Sequence, residues 1–288
     1  MAVMAVQAIR RMRGGAQSQL MLGADSQLWV VKFKNNPQHI RVLANEFIAG
    51  RIAEALDLPV PRSDVLEVSE WLIANTPEMV IDGGRGKLER CAPGLQFGSR
   101  FVGGLMPGQV MDYLPEQQLD EVRNLADFAG MLVVDKWTGN CNGRQAVYER
   151  KPRERKYRAI FIDQGFCFNA GEWTFPDSPL RGVFARNRVY TRVTGWNSFE
   201  PWLSRVEEFA ATRLGQIAEE VPPEWYGGDP RMLEQLMETL LRRRSRVRSL
   251  IERFRESSRQ PFPNWGAKVA VSVPAVFENI DAGAKFVM

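Results

Sequence analysis

Several charged side chains lie where an apolar setting would force them to find partners. Lys32 is embedded in Leu28-Trp29-Val30-Val31-Lys32-Phe33. Strand alternation puts it with Leu28 and Val30, on or near a buried face. An ammonium there needs a counter-charge, and a phosphate plus a carboxylate would satisfy it. Glu46, beside Phe47 on the element that follows, is the carboxylate placed to reach it. The alternative is a lysine that snorkels at a strand edge. Asp163 ends the apolar run 159–162 and precedes Gln164-Gly165-Phe166. A carboxylate at a strand end beside a glycine suits a magnesium ion, or else caps a turn. Gly14-Gly15 falls in a turn between strand candidates. Missing Cβ atoms let backbone N–H groups approach phosphate there, although such pairs also serve turns structurally.

Transfer of a phosphoryl group from ATP requires backbone amides around the phosphates, a lysine on them and an acid that fixes the lysine. It also requires acidic or amide ligands for magnesium, and a group that positions the attacking hydroxyl. All but the last have candidates in workable order. The polar run 135–145 directly follows a buried helix pattern and precedes a short strand, which is where a catalytic loop belongs.

The elements that must position these groups can be read from periodicity. Strands are expected at 3–8, 19–22 and 28–33, with a hairpin turn at 23–26. A helix is expected over 37–56, capped by Asn36 with Pro37 in its first turn, and with one apolar face packed on a sheet. Residues 60–100 read as further strands, with a Gly-rich turn at 82–86, and 103–107 reads as a hinge. Leu119, Val122, Leu125, Ala126, Ala129, Leu132 and Val133 form an amphipathic stripe that starts after Glu116 and ends near Asp135. Strands at 145–148 and 158–162 flank a charged hairpin, and helices return at 198–220 and 230–256. The expected class is α+β: a small sheet-rich N-lobe with one main helix over 1–105, and a larger, mostly helical C-lobe over 106–258. A tail covers 259–288, and a ligand cleft lies between the lobes.

Composition narrows the function. The 288 residues are 44% hydrophobic and 25% charged, with a net charge of +4, which are ordinary globular values. No apolar run is long enough for a membrane span and no secretory signal is evident, so a soluble cytoplasmic protein is expected. Three scattered cysteines argue against a disulfide framework or a thiolate zinc site, and one histidine argues against multi-histidine metal centres and Ser-His-Asp hydrolysis. Basic clusters at 10–13, 150–158 and 242–255 are solvated faces or contacts for phosphate, nucleic acid or an acidic partner. Nucleic acid is the lesser expectation, because no recognition pattern accompanies the modest charge.

These runs resemble those of HipA-like kinases. Arg13-Gly14-Gly15-Ala16-Gln17-Ser18 resembles their phosphate loop, and Trp29-Val30-Val31-Lys32-Phe33-Lys34-Asn35-Asn36 their lysine strand, followed by the helix bearing Glu46. Asn140-Cys141-Asn142-Gly143-Arg144 is similar to their catalytic loop, which usually begins Asn-x-Asp. Phe161-Ile162-Asp163-Gln164-Gly165-Phe166 is similar to their metal-binding strand and turn. The resemblance covers about residues 10–170. It implies a fold related to protein kinases and phosphatidylinositol kinases, and ATP- and Mg2+-dependent phosphorylation, mostly on serine or threonine. The acceptor is unknown, with a protein favoured over a small molecule, and some members are toxins with antitoxin partners. By this resemblance Gly14, Gly15, Gln17, Ser18, Lys32 and Glu46 bind ATP, and Asp163, Asn140 and Gln145 serve the metal.

One departure bears on activity. Asn142 stands where the family's loop has its aspartate, and an amide cannot accept the hydroxyl proton as a carboxylate does. A second register exists, since Asp135 and Asn140 have the Asp-x-x-x-x-Asn spacing of protein-kinase loops. Asn142 or Asp135 is therefore the catalytic-loop candidate, and in the first register Asp135 braces the loop. An active kinase, a nucleotide-binding pseudokinase and a phosphate-directed binding protein all remain open at this stage.

Overall fold

The structure, a computed structural model, describes residues 2–83, 87–103 and 108–267. β1 (Val3–Arg11), β2 (Gln19–Gly23) and β3 (Leu28–Lys32) pair antiparallel in chain order. After α1 (Arg41–Ala55) come β4 (Ser63–Val68), the short α2 (Glu70–Ala74), the hairpin of β5 (Val80–Asp82) and β6 (Leu88–Arg90), and β7 (Gly94–Arg100). β7 pairs with β3 on one side and β4 on the other, and β4 meets the start of β1 in parallel. The result is a closed five-stranded barrel in the order β1-β2-β3-β7-β4. Met21, Trp29, Val31, Phe33, Leu66 and Val68 fill it.

The second half begins with β8 (Val110–Met111), α3 (Glu116–Leu119), α4 (Asp127–Thr138), β9 (Gln145–Glu149) and β10 (Arg158–Ile162). β10, β9 and β8 form a small antiparallel sheet. Then follow α5 (Trp202–Glu207), α6 (Ala211–Glu219), α7 (Pro230–Arg243) and α8 (Val247–Arg255). α4 is the axis of this half, and its Trp137 Nε1 donates to the Leu240 carbonyl of α7 at 2.8 Å.

α1 joins the two halves. The expectation of a single apolar face is corrected: every residue from 42 to 50 is buried. The helix touches β4 and β7 on one side and α4 and α6 on the other, and Leu43, Phe47, Ile48 and Ile52 belong to the helical core. It also starts at Arg41 rather than 37. Asn36 is not its cap: the Oδ1 accepts the N–H groups of Gln38 and His39, and the Nδ2 donates to the Phe33 and His39 carbonyls, which shapes a turn ahead of the helix.

Other boundaries shift for local reasons. The stripe after Glu116 breaks into α3 and α4, and α4 runs on to Thr138 before Gly139 closes it in the left-handed region, as helix ends often do. The helix expected at 198–220 is α5 plus α6, and the one at 230–256 is split by a tight turn at Arg244–Arg246. The expected turn at 82–86, the hinge at 103–107 and the tail lie largely outside the described residues. Cys91, Cys141 and Cys167 are free thiols. No helix among the described residues is long and apolar enough to cross a membrane.

Candidate active site

Trp29 and Val31 point into the barrel, so the alternate residues Val30 and Lys32 face outward into a cleft of about 1200 Å³ between the barrel and the helical half. Lys32 is thus on the cleft face rather than the buried one. Its charge is nonetheless enclosed, with the side chain 11% exposed. The ammonium bonds Glu46 Oε1 on α1 and Asp163 Oδ1, just past β10, the latter at 2.8 Å. The second oxygen of Glu46 accepts the Gln164 N–H at 2.9 Å, and the second oxygen of Asp163 accepts Gln145 Nε2 at 2.8 Å.

Local backbone geometry brings these groups together. Asp163 has φ +63°, a conformation aspartate tolerates better than most residues. Gly165 is required for a different reason: a Cβ there would lie 2.7 Å from Val42 Cγ1 and 3.1 Å from Glu46 Oε1. Its role is close approach to α1. Asn45 then holds the segment to the helix, donating to the carbonyls of Gly165 (2.8 Å) and Ala170 (2.7 Å) and accepting Trp173 Nε1 (2.8 Å).

Burial and the shared lysine act against each other across the clamp. Burial works against the charge on Lys32, but Glu46 and then Asp163 outweigh it and raise the ammonium's pKa. Burial pushes the Glu46 carboxyl up, opposed chiefly by Lys32. Burial acts the same way on Asp163, where Lys32 prevails and holds the carboxyl below its ordinary value. Two carboxyl groups thus face one ammonium at the cleft wall.

The turn joining β1 and β2 forms another wall. Gly14, Gly15 and Ser18 line the cleft, and Gly14 has φ +123°, open to glycine and strained for other residues. Gln17 does not line it. Its amide bridges the backbone of Asp82 through both ends, pinning the turn to β5. Arg10 and Arg13 stand along the cleft and form no ion pair among the described residues.

The loop after α4 separates the remaining candidates. Asn142 and Gln145 line the cleft; Asp135 and Asn140 do not. Asp135 is 1% exposed and held by Arg144 through Nε (3.0 Å) and Nη2, and Asn140 Nδ2 donates to it at 2.8 Å. Asn140 Oδ1 takes the Asn142 N–H at 3.0 Å. Both side chains are therefore consumed in holding the loop. Arg144, which no sequence signal marked as a partner of Asp135, also donates to the Ile162 carbonyl at 2.9 Å and so ties the loop to the strand that presents Asp163.

Among the described residues, no group of three His, Cys, Asp or Glu side chains could hold a metal. Asp163 with the neighbouring Gln145 amide fits magnesium, which commonly takes one or two protein ligands and completes its shell with phosphates and water.

The barrel, the cleft and the clamp define a kinase-like protein, and comparison with known proteins places it further. The sequence model of HipA-like kinases matches residues 5–147, so over this stretch the chain resembles that family. The proinflammatory kinase CtkA of Helicobacter pylori aligns over 90% of this chain and 100% of its own, with a TM-score of 0.54 at 11% identity. HipA of Shewanella oneidensis MR-1, solved with HipB and operator DNA, aligns over 88% of this chain and 68% of its own (TM-score 0.48, 13% identity). The Golgi casein kinase with Mn/ADP bound aligns over 89% and 73% (TM-score 0.45, 13% identity). At 11% identity the likeness to CtkA concerns the fold. No curated protein matches the chain.

Proposed function

We propose that this protein is a two-lobed kinase that transfers a phosphoryl group from ATP, with Mg2+, to a serine or threonine hydroxyl. One observation carries the assignment: Lys32 is clamped between Glu46 and Asp163 on the wall of a cleft large enough for a nucleotide. In it Lys32 holds the phosphates, Glu46 fixes Lys32, and the turn at Gly14, Gly15 and Ser18 offers backbone N–H groups. Asp163 and Gln145 hold the metal, whose chemistry is to neutralise charge on the phosphate oxygens. Asn142 orients the acceptor hydroxyl, and Asp135 and Asn140 support the loop. Phosphoryl transfer relies mainly on positioning and charge, so an amide at 142 is compatible with activity. The test is intact-mass analysis and ADP release after incubation with Mg2+ and ATP. Wild-type protein should transfer phosphate, and Lys32→Ala and Asp163→Ala should do so about 10²–10³-fold more slowly. Nucleotide binding and transfer left untouched in both variants would refute the assignment.

A nucleotide-binding pseudokinase is the second reading. It is favoured by Asn142 at the cleft and by the engagement of Asp135, the nearby carboxylate, with Arg144. Asn142→Asp separates the two, since a large gain in rate marks a degenerate site and a loss marks the amide as native to the chemistry.

A further inference from the structure

We propose that the tip of the hairpin between β9 and β10 is a docking surface for an acidic segment of a partner protein. None of residues 149–158 lines the cleft, so this surface is separate from the nucleotide site and does not depend on the kinase reading. Its charge is uncompensated. Lys151, Arg153, Arg155, Lys156 and Arg158 are exposed, and none of them forms an ion pair among the described residues. The one acid of the tip, Glu154, is already engaged: it pairs with Arg123 at 2.9 Å and accepts the Lys151 N–H at 3.2 Å. The basic run near the C-terminal end behaves differently, since Arg242, Arg243, Arg246, Arg248 and Arg255 each meet a carboxylate.

The backbone adds an independent observation. Lys151-Pro152-Arg153-Glu154 is a tight turn, closed by the Glu154 N–H donating to the Lys151 carbonyl at 3.0 Å, with Arg153 at φ +73°. Proline suits the second position of such a turn, and a positive φ at the third calls for glycine. Arginine stands there instead, and strained backbone of this kind persists only where its surroundings hold it. They do so here. The Arg123 N–H donates to the Tyr157 carbonyl at 2.9 Å, Tyr157 Oη donates to the Gly108 carbonyl at 3.0 Å, and the Arg150 guanidinium lies 4.6 Å from the centre of the Tyr157 ring. A cation is thus presented on a braced turn at a conformational cost that solvation alone does not require.

The side chains around the tip select carboxylates among polyanions. Guanidinium groups take carboxylates in forked, charge-assisted pairs. Single-stranded nucleic acid is held by aromatic faces as well as cations, and Tyr157, the one aromatic side chain of 149–158, is covered by Arg150. Duplex binders engage roughly 6–10 phosphates, more than this tip can reach. An interfacial contact with an anionic bilayer adds apolar insertion to charge, and no large apolar side chain is exposed within 150–158.

The test is fluorescence anisotropy at low salt, with the full chain titrated into a labelled peptide of alternating Glu and Ser. Wild-type protein should bind it saturably and should not bind the same peptide with Gln for Glu. The triple variant Arg153→Gly/Arg155→Ser/Lys156→Ser should weaken binding by about tenfold, as the loss of three exposed ion pairs does. Arg153→Gly alone should weaken it about two- to fivefold. That variant should unfold at the same urea midpoint as wild type or a higher one, because glycine relieves the turn. Removing three charges elsewhere, in Arg205→Ser/Arg231→Ser/Arg242→Ser, should leave binding within about twofold, since screened charges far from the site contribute little. Absence of saturable binding in wild-type protein overturns the proposal. Equal losses in the two triple variants also overturn it, because net charge alone would then account for binding. So does tighter binding, through the same hairpin, of a DNA duplex, a single-stranded RNA or phosphatidylserine vesicles, which would give the surface to another polyanion.

Discussion

Asp163 and Asp135 each meet a buried cation, yet their surroundings differ in one decisive respect. Asp163 shares Lys32 with Glu46, so two carboxylates face one ammonium at the edge of an open cleft. Asp135 takes two bonds from the Arg144 guanidinium and a third from the Asn140 amide, with its side chain 1% exposed. The first arrangement makes two carboxyl groups share one ammonium beside an opening, where a metal can compete for a carboxyl and a phosphate for the ammonium. The second is matched and closed, so nothing remains for a ligand. Residue type is alike in both, Asp135 in the last turns of α4 and Asp163 just past β10; charge balance and access are what differ.

Substitution should separate the two. Asp135→Ala leaves Arg144 buried and unpaired, so we expect a loss of about 3–5 kcal/mol in urea unfolding, as for other broken buried pairs. Asp163→Ala removes a carboxylate whose charge burdens Glu46, and its stability should change little. Its effect should fall on transfer, reduced about 10²–10³-fold, the usual loss when one preorganised electrostatic group is removed from an active site. Asp135→Ala protein that remained stable but lost transfer would break the comparison.

The clamp was legible in the sequence because its parts sit in regular elements. Apolar alternation marks β3 and places Lys32, and the run 159–162 marks β10 and puts Asp163 at its end. The buried knot was not legible. Arg144 meets Asp135 through a loop whose path depends on Gly139 and on contacts with residues 166 and 183. The basic cluster at 242–255 illustrates the same limit. It reads as a charged face, but Arg243 donates to the Trp137 and Lys136 carbonyls and pairs with Asp177. Arg248 pairs with Glu207. These partners are distant in sequence, so no local pattern announces them. α2, with five residues, is too short to show a helical period.

Asn45 sharpens the contrast from the working side, because it joins the helix of Glu46 to the segment that follows Asp163. Its three bonds reach Gly165, Ala170 and Trp173, within a stretch where Phe168, Asn169 and Ala170 all have positive φ. Such backbone persists only where its surroundings over-determine it. Asn45→Ala strands two carbonyls and an indole N–H. We expect about 2–3 kcal/mol of lost stability, given the usual cost of an unpaired buried group. Transfer should fall through kcat more than through KM for ATP, because Lys32 and the Gly14-Gly15 turn remain. A change in stability alone would demote Asn45 to scaffold.

The smallest effect concerns the neighbour of Asp135 on α4. Lys136 is buried, and its ammonium is held by the carbonyls of Pro179 (2.8 Å) and Arg181 (2.6 Å) over the Phe254 ring, with no bonded carboxylate among the described residues. Burial lowers its pKa from the ordinary 10.5 to about 8, only partly offset by Asp135 and Asp177. Between those values the folded protein has released a proton that the unfolded chain still binds, so this residue makes stability rise with pH. Below about pH 8 both states are protonated and the cost of the buried charge is fully present. From pH 7.5 to 9.5 the contribution should amount to about 2 kcal/mol. Lys136→Met should flatten the unfolding free energy over that interval by the same amount relative to wild type, leaving other titrating groups to cancel in the difference. An unchanged slope would mean that the carbonyl cage compensates the buried ammonium as fully as Asp135 compensates Arg144, and the distinction between matched and unmatched charge would not extend to this helix.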